Sequence, residues 1–301
     1  MFCCNLNKFY RAMKKRIVGF CCCFVVCSYI WAGRMSVSAS DSTEVVNLLK
    51  QAQGVSSPQD LPLFFAKKLI NRPYVSATLE VNNEECLVVN LRELDCTTLV
   101  ENVVALTLSA LDGKCDLSTF CRYLEQIRYQ DGYCHGYASR NHYFSEWIDS
   151  NERLGLVTEI TDAPGVKQPV FTGRQKIDLH YMSSHPEKYP MLKGKPETIR
   201  QIRANENRVN GKVVAYLPSD KLNWDEKRLL QIKNGDILAL VTKKDGLDIS
   251  HVGFAVWIKG RLHLLNASSL HKKVVLEPMT LWQYFKKHPS NIGIRVIRIN
   301  M

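Results

Sequence analysis

The feature of this sequence that most restricts its fold is a change of pattern near residue 213. Five short segments rich in β-branched and aliphatic residues follow, and turn residues separate them. The segments are 213–217, 236–241, 251–257, 262–266 and 292–299, with turns at Asn234-Gly235, Lys244-Asp245-Gly246 and Lys259-Gly260. Before residue 213, apolar residues recur mostly at helical spacing. Helices followed by strands predict an α+β fold with an antiparallel sheet.

The helical part can be divided by its capping residues. We predict six helices there and one short strand, at 86–90. The helices cover 43–53 behind Asp41-Ser42, a segment opened by Ser57-Pro58, 96–111 behind Asp95, a segment started by Asp116, about 143–151 and about 197–209. No linker or repeat divides residues 40–301, so we expect a single domain. The polar stretch 160–210 is interpreted as an insertion that wraps the core.

Residues 1–39 have the composition of a secretory signal. Lys14-Lys15-Arg16 precede an apolar run over residues 17–32, and small residues follow at 36–39. The alternative is a retained membrane anchor, but the run is shorter than the roughly 20 apolar residues that span a bilayer. We therefore expect cleavage after Ala39, no stable membrane insertion afterwards, and a secreted or periplasmic protein.

Removing that segment changes the charge that partners would meet. The chain carries 40 Lys and Arg and 29 Asp and Glu, for a net charge of +11. Six of the basic residues and no acidic residue lie in positions 1–39, so the rest carries 34 − 29 = +5. Nucleic-acid binding would rest on charge alone, and a charge of +5 gives it little support.

Six of the 11 cysteines also lie in the signal, which leaves five. Because five is odd, at least one thiol has no disulfide partner within the chain in an oxidising compartment. A short-loop bridge between Cys115 and Cys121 stays open. The remainder has no C-x-x-C and no H-E-x-x-H pattern, so we expect no metal site.

Cys96 is the candidate nucleophile because it alone among these cysteines stands at a predicted helix start. The positive end of a helix favours a thiolate, and the unpaired N–H groups of the first turn can bind an oxyanion. Asp95, the expected N-cap, adds a negative charge that opposes a thiolate unless its carboxylate is turned toward backbone N–H groups. The alternative is an inert buried thiol, which is the commoner role of a free cysteine.

His251 is the candidate base, at the start of a strand. If Lys259-Gly260 is a two-residue hairpin turn, residue 258 pairs with residue 261. His251 and Asn266 are then diagonal neighbours on one face, and His263 lies on the other. Gly253 and Ala255 share the face of His251, and we expect them to leave room there for the helix that begins at Cys96. A purely structural histidine is the alternative.

Several blocks of residues occur in an order that is specific as a combination. They are 72–80 (RPYVSATLE), 87–98 (LVVNLRELDCTT), His142-Tyr143-Phe144 with Trp147, Asn234-Gly235-Asp236-Ile237, 246–253 (GLDISHVG) and 266–269 (NASS). In this combination the chain resembles the N-acetylmuramoyl-L-alanine amidase-like branch of the NlpC-type, papain-like cysteine hydrolases. The resemblance implies a papain-like core, with the nucleophile helix packed on an antiparallel sheet or barrel and with helical additions.

The resemblance also implies roles for individual residues. Cys96 would be the nucleophile, His251 the base and Asn266 the polar third residue, where the family usually has histidine. An amide oxygen can orient an imidazole, although it stabilises an imidazolium less than a carboxylate does. Tyr74 matches the Pro-Tyr motif whose tyrosine typically lies beside the thiol, and a core aromatic is the alternative. Asp95 would support Cys96.

By this resemblance the chain is a secreted peptidoglycan hydrolase that acts on peptidoglycan fragments or muropeptides and needs no cofactor. It would cut the amide between the muramoyl lactyl group and L-Ala through a thioester. Arg92, Arg140 and Tyr143 are candidate substrate contacts, with structural ion pairs or packing as the alternative. An endopeptidase that cuts within the stem peptide and an inactive wall-binding module are the rival functions. The sequence does not indicate an oligomeric state.

Overall fold

The structure of the protein is a computed structural model that describes residues 35–301, so residues 1–34 of the expected signal lie outside the described residues. Eight α-helices occur in this described part of the chain. They are α1 Ala39–Ala52, α2 Leu61–Lys68, α3 Cys96–Leu111, α4 Leu117–Arg128, α5 Phe144–Arg153, α6 Tyr181–Ser184, α7 Pro196–Val209 and α8 Leu281–Lys287. None of these helices is long and apolar enough to cross a bilayer.

Ten strands complete the described part of the fold. They are β1 Met35–Val37, β2 Leu87–Val89, β3 Val157–Ile160, β4 Gly173–Lys176, β5 Val213–Pro218, β6 Ile237–Thr242, β7 Ile249–Ile258, β8 Arg261–Ser268, β9 Lys273–Leu276 and β10 Asn291–Ile299. Eight of them form one antiparallel sheet in the order β4-β5-β10-β6-β7-β8-β9, and β3 also pairs with β10. The predicted α+β class and each strand predicted after residue 213 are confirmed, with ends that differ by a few residues.

The β7–β8 hairpin has the register predicted from its turn. Ile258 pairs with Arg261, and Phe254 pairs with Leu265. Lys259 and Gly260 both have positive φ, at 49° and 72°. A two-residue turn with this backbone matches the right-handed twist of the strands that it joins, so the turn determines the register.

Helix α3, which begins at Cys96, does not lie on the face predicted for it. Leu99 and Val103 of α3 share an apolar cluster with Val252 and Phe254 of β7, whereas Ala255 belongs to the cluster on the opposite face of the sheet. Helix α3 packs on this face because Val252 and Phe254 offer far more apolar surface to bury than Gly253 and Ala255 do. The space beside Gly253 is taken by the neighbouring strand β8.

Helix α1 begins four residues earlier than the 43–53 predicted. Ser38 is the N-cap, and its Oγ accepts a hydrogen bond from the Asp41 N–H at 3.0 Å. Asp41, which we expected to cap the helix, is instead buried and accepts from the Leu91 N–H at 3.0 Å. A buried carboxylate needs such partners, and Leu91 comes from 50 residues away, so helical spacing could not reveal this bond.

The first described residues are part of the fold. Met35–Val37 pair in parallel with Leu87–Val89. Ser38 follows as the helix cap. Cleavage after Ala39 would therefore remove both a strand of the small β1–β2 sheet and the N-cap of α1.

Residues 160–210 build a third apolar cluster beside the two that flank the sheet. Ile177, Leu179, Met182, Leu192 and Ile202 pack there against Tyr137 and Tyr143 of the preceding segment. Strand β4 from this stretch pairs with β5. The stretch is thus anchored at the edge of the sheet, and its apolar residues face the segment around α5.

Candidate active site

Cys96 is the first residue of α3, and Asp95 is its N-cap, as predicted from the sequence. The Thr98 N–H and the Thr98 hydroxyl both donate to Asp95 Oδ1, each at 2.8 Å. The Asp95 N–H in turn donates to Thr98 Oγ1 at 2.9 Å. This reciprocal capping directs the carboxylate at the helix backbone, which is the orientation that a thiolate at Cys96 requires.

Tyr74 lies beside the thiol because its segment runs alongside the start of α3. The Leu94 N–H donates to Pro73 O at 3.0 Å, and the Val75 N–H donates to Leu94 O at 3.1 Å. Burial raises the pKa of Tyr74, and the negative charges at Cys96 and Asp95 raise it further. The phenol therefore stays neutral next to the thiol and keeps a proton that it can donate.

His251 reaches Cys96 from β7. A register shift against β6 leaves Ser250 as an extra residue, since Leu240 pairs with His251 but Val241 pairs with Ile249. Such bulges redirect the side chains next to them. Burial lowers the pKa of His251, but the charge of Cys96, hydrogen bonds to Cys96 and Asn266 and the charge of Glu277 together raise it above its ordinary value. The thiol and the imidazole can therefore form an ion pair.

Asn266 contacts the other side of that ring, as the hairpin register predicts. Its Oδ1 lies 2.9 Å from His251 Nε2. Its side chain is almost fully buried, and its Nδ2 donates to Glu277 Oε1 at 3.2 Å. Glu277, which the sequence analysis did not single out, is a buried acidic residue directly behind the polar third residue. In the sequence, the sign of this residue is an acidic side chain directly after Leu276, at the end of an apolar strand.

Cys96 and His251 line one groove of about 410 Å³. Its aromatic walls come from Tyr137, Tyr143, Phe144 and Tyr189, and its charged side chains are Glu80, Lys188 and Asp248. Lys188 and Tyr189 belong to the stretch 160–210, so this stretch forms one wall of the groove. The arrangement places the Cys96 thiol and the His251 imidazole together in one groove that opens to the surface.

The three predicted substrate contacts are placed differently from one another. Arg92 lies 3.1 Å from Asp41 Oδ2, and neither it nor Arg140 lines the groove. Arg140 is buried between Glu80 at 2.6 Å and Glu85 at 2.5 Å. Through Glu80, Arg140 supports the groove wall from behind. The structural ion pairs that were the alternative for both arginines are therefore present, and their contact with substrate stays a prediction.

Tyr143 lines the groove, but its hydroxyl already makes two hydrogen bonds within the protein. The hydroxyl donates to Glu206 Oε1 at 2.8 Å and accepts from the Met182 N–H at 2.7 Å. These two bonds tie the stretch 160–210 to the segment before α5. The ring of Tyr143, rather than its hydroxyl, is what remains to meet a ligand.

His142 is a second histidine of the groove, with a different character from His251. Burial, followed by the neighbouring positive charge of Arg140, lowers its pKa to about 3. Its Nε2 lies 2.8 Å from Tyr137 O, so this nitrogen carries the ring proton and donates it to the carbonyl. His142 therefore stays neutral at physiological pH and supports the fold of the wall.

The remaining cysteines suit a structural role. Burial raises the pKa of Cys121 to about 12, which keeps this thiol protonated and unreactive. Cys115 is partly exposed and accepts from Gln53 Nε2 at 3.5 Å. Cys115 and Cys121 are separate thiols in the structure. Within residues 35–301, no group of three or more His, Cys, Asp or Glu side chains could hold a metal ion.

The fold, with Cys96 and His251 paired in one groove, resembles that of a class of proteins, the NlpC-type, papain-like cysteine hydrolases. A family model described as N-acetylmuramoyl-L-alanine amidase-like (AmiA-like) matches residues 64–294. Because that match covers most of the chain, the protein belongs to the N-acetylmuramoyl-L-alanine amidase-like family of this class. No protein with a curated description matches it.

Solved structures of similar chains share the fold. An N-acetylmuramoyl-L-alanine amidase from Bacteroides uniformis is 39% identical over 81% of this chain and 99% of its own, with a TM-score of 0.75. A protein from Bacteroides fragilis described as a putative xylanase is 45% identical over 78% of this chain and 99% of its own, with a TM-score of 0.72. A DUF1460 protein from Legionella pneumophila shares the fold at 22% identity, over 87% and 95% of the chains, with a TM-score of 0.68.

Proposed function

We propose that this protein is a cysteine amidase of peptidoglycan that cleaves the bond between the muramoyl lactyl group and L-Ala. The observation that carries the proposal is the helix-start Cys96 hydrogen-bonded to His251 in an open groove, in a chain of the amidase-like family. The amidase name given to similar proteins indicates that this amide bond is the one cleaved. The pairing of Cys96 with His251 in the groove supports cleavage by a cysteine nucleophile. The substrates are peptidoglycan fragments or muropeptides.

The reaction follows from the contacts around Cys96. Its thiolate attacks the lactyl carbonyl carbon, and the Cys96 backbone N–H donates to the oxyanion that forms. His251, which took the thiol proton, gives it to the nitrogen of L-Ala as the amide bond breaks. Water then loses a proton to His251 and attacks the thioester, which releases the lactyl carboxylate and regenerates the thiol. Asn266 Oδ1 holds the ring throughout, by accepting from Nε2.

The walls of the groove suit such a glycopeptide. Aromatic rings such as Tyr137 and Tyr189 offer faces for a sugar ring or an apolar peptide side chain. Lys188 offers a positive charge for a carboxylate of a stem peptide. A narrow closed pocket would exclude the branch point at the lactyl group, whereas this groove is open.

We further propose that the protein is exported, with the segment before Met35 as the signal. The paired strand at Met35–Val37 and the Ser38 cap favour cleavage ahead of Met35 over cleavage after Ala39. Intact mass measurement of the protein recovered from the periplasm or medium tests this. A mature chain that begins at Ser40 contradicts the earlier site, and a protein retained in the cytoplasm contradicts export.

A muropeptide digest analysed by mass spectrometry tests the amidase proposal. A free N-acetylmuramic acid product with an intact stem peptide is the expected outcome. A cut inside the peptide supports the endopeptidase instead. Cys96→Ser should abolish turnover, while Cys115→Ser, the matched control away from the groove, should retain it. Unchanged binding and absence of turnover in all three proteins would support the inactive wall-binding module.

A further inference from the structure

We propose that Glu277 is a positioning residue of this site, whose buried carboxylate holds the Asn266 amide so that His251 presents the correct nitrogen to Cys96. The inference rests on the proposed cysteine chemistry and extends it by one residue. The family resemblance implies a polar third residue, Asn266, but no residue that holds Asn266 in place. The chain of contacts from the thiol to Glu277 is continuous in the structure.

The geometry around Glu277 leaves its carboxylate little freedom. It follows β9, and its N–H donates to Leu264 O at 2.9 Å, which continues the pairing with β8. Its side chain is 2% exposed. One carboxylate oxygen accepts from Asn266 Nδ2 at 3.2 Å, and the other lies 3.2 Å from His271 Nε2. Because His271 is partly exposed, this line of contacts runs from the groove to the protein surface.

The carboxylate decides which way the Asn266 amide points. A carboxylate only accepts hydrogen bonds, so the amide NH₂ must face Glu277 and Oδ1 must face His251. Oδ1 in turn accepts only from an N–H, so His251 Nε2 carries a proton and Nδ1 is left for the thiol. A flipped amide would present N–H groups to Nε2 and would put the ring proton on Nδ1. That tautomer cannot accept a proton from Cys96.

The carboxylate also supplies a charge that an amide lacks. Burial lowers the pKa of His251, but Cys96, the Asn266 hydrogen bond and the Glu277 charge outweigh it and raise the pKa overall. The other groups facing this region are Tyr284 on α8, whose pKa is raised to about 12 by burial and then by Glu277 and Cys96, and His271. Glu277 thus stabilises the imidazolium from behind a neutral neighbour.

The test compares Glu277→Gln with His271→Gln, because the second change alters the far side of Glu277 and leaves Asn266 in place. The readout is the rate of iodoacetamide alkylation at Cys96, resolved by peptide mass spectrometry, with the partly exposed Cys115 as the internal reference. Loss of the Glu277 charge lowers the pKa of His251 and with it the thiolate–imidazolium population. We expect alkylation of Cys96 at pH 6 to fall several-fold in E277Q and to change little in H271Q.

Turnover of muropeptides by the same proteins gives the second readout. In E277Q we expect kcat to fall several-fold with KM unchanged, and the alkaline limb of the pH profile to move to lower pH. Alkylation of E277Q at the wild-type rate overturns the proposal, and so does an equal fall in H271Q. If alkylation is slower in E277Q but none of the proteins turns over muropeptides, the positioning role of Glu277 is supported. The same result contradicts the amidase function.

A measurement without a Glu277 variant covers the case in which E277Q does not fold. In Cys96→Ala, the nitrogen-15 spectrum of His251 at a pH where the ring is neutral reports its tautomer. The proposal requires the proton on Nε2. A proton on Nδ1 means that Asn266 is flipped and that Glu277 does not orient it, which overturns the proposal.

Discussion

Gly253→Ala tests how closely the sheet determines the geometry of the site. Gly253 lies in β7, two residues after His251 and against β8. A Cβ placed there would lie 2.6 Å from Leu265 O, 2.9 Å from Asn266 Cβ and 2.9 Å from Leu264 Cδ1. Real Cβ atoms do not approach other atoms this closely, so a strand must move. One of the three atoms is backbone and another belongs to Asn266, so the movement displaces the residue that orients His251.

The expected effect has two parts. Forcing extra volume into a packed region costs about 1–3 kcal/mol of the free energy of unfolding. Displacement of a catalytic contact by about 1 Å lowers turnover about 10²-fold. Activity should therefore fall much further than stability in G253A, because most of the folded protein survives while the contact between Asn266 and His251 does not.

Guanidinium unfolding and muropeptide turnover measure the two parts. Gly54→Ala is the matched control, since its Cβ would meet Gln51 O at an ordinary 3.7 Å. We expect G54A to change the unfolding free energy by no more than about 1 kcal/mol, and in the stabilising direction if it changes. A G253A protein with wild-type unfolding midpoint and turnover would refute the reasoning.

Three further predictions concern stability. Asp95→Ala removes the cap of α3 and should cost about 1 kcal/mol in thermal unfolding, whereas D95N should lose less; equal losses would contradict a capping role. Arg128→Met leaves the buried Glu101, 2.7 Å from Arg128 Nε, without its counter-charge. It should cost about 3–5 kcal/mol in denaturant unfolding, most of it recovered in R128M/E101M; no recovery would argue against the pair. His142, with a pKa lowered from 6.5 to about 3, contributes stability above pH 6.5 that is lost as the pH falls toward 3. Unfolding midpoints between pH 7 and 4 should therefore fall less in H142Q than in wild type; parallel curves would contradict this.

The predictions that the structure confirms depend on residues close together in the chain. Asp95 and Cys96 were assigned to the start of a helix because a capping residue and an apolar stripe mark such a start locally. Asn266 was assigned to the face of His251 because a two-residue turn determines the register of both strands. In each case the backbone geometry of a few residues is enough.

The predictions that failed depend on distant segments. The face on which α3 packs was predicted from small residues, but the helix lies against Val252 and Phe254, where more apolar area can be buried. Asp41 was expected to cap α1, but it bonds to the N–H of Leu91. Neither outcome follows from neighbouring residues, because both depend on which surfaces the rest of the chain brings near.

The sequence by itself determined the fold class, the helix start at Cys96 and the strand register that sets Asn266 beside His251. These follow from periodicity, capping and turn geometry, which act over a few residues. Only the tertiary structure decided that Glu277 stands behind Asn266 and that Lys188 and Tyr189 line the same groove as Cys96. Such contacts form because burial of apolar area and pairing of buried polar groups are satisfied over the whole domain, between residues that the chain order keeps far apart.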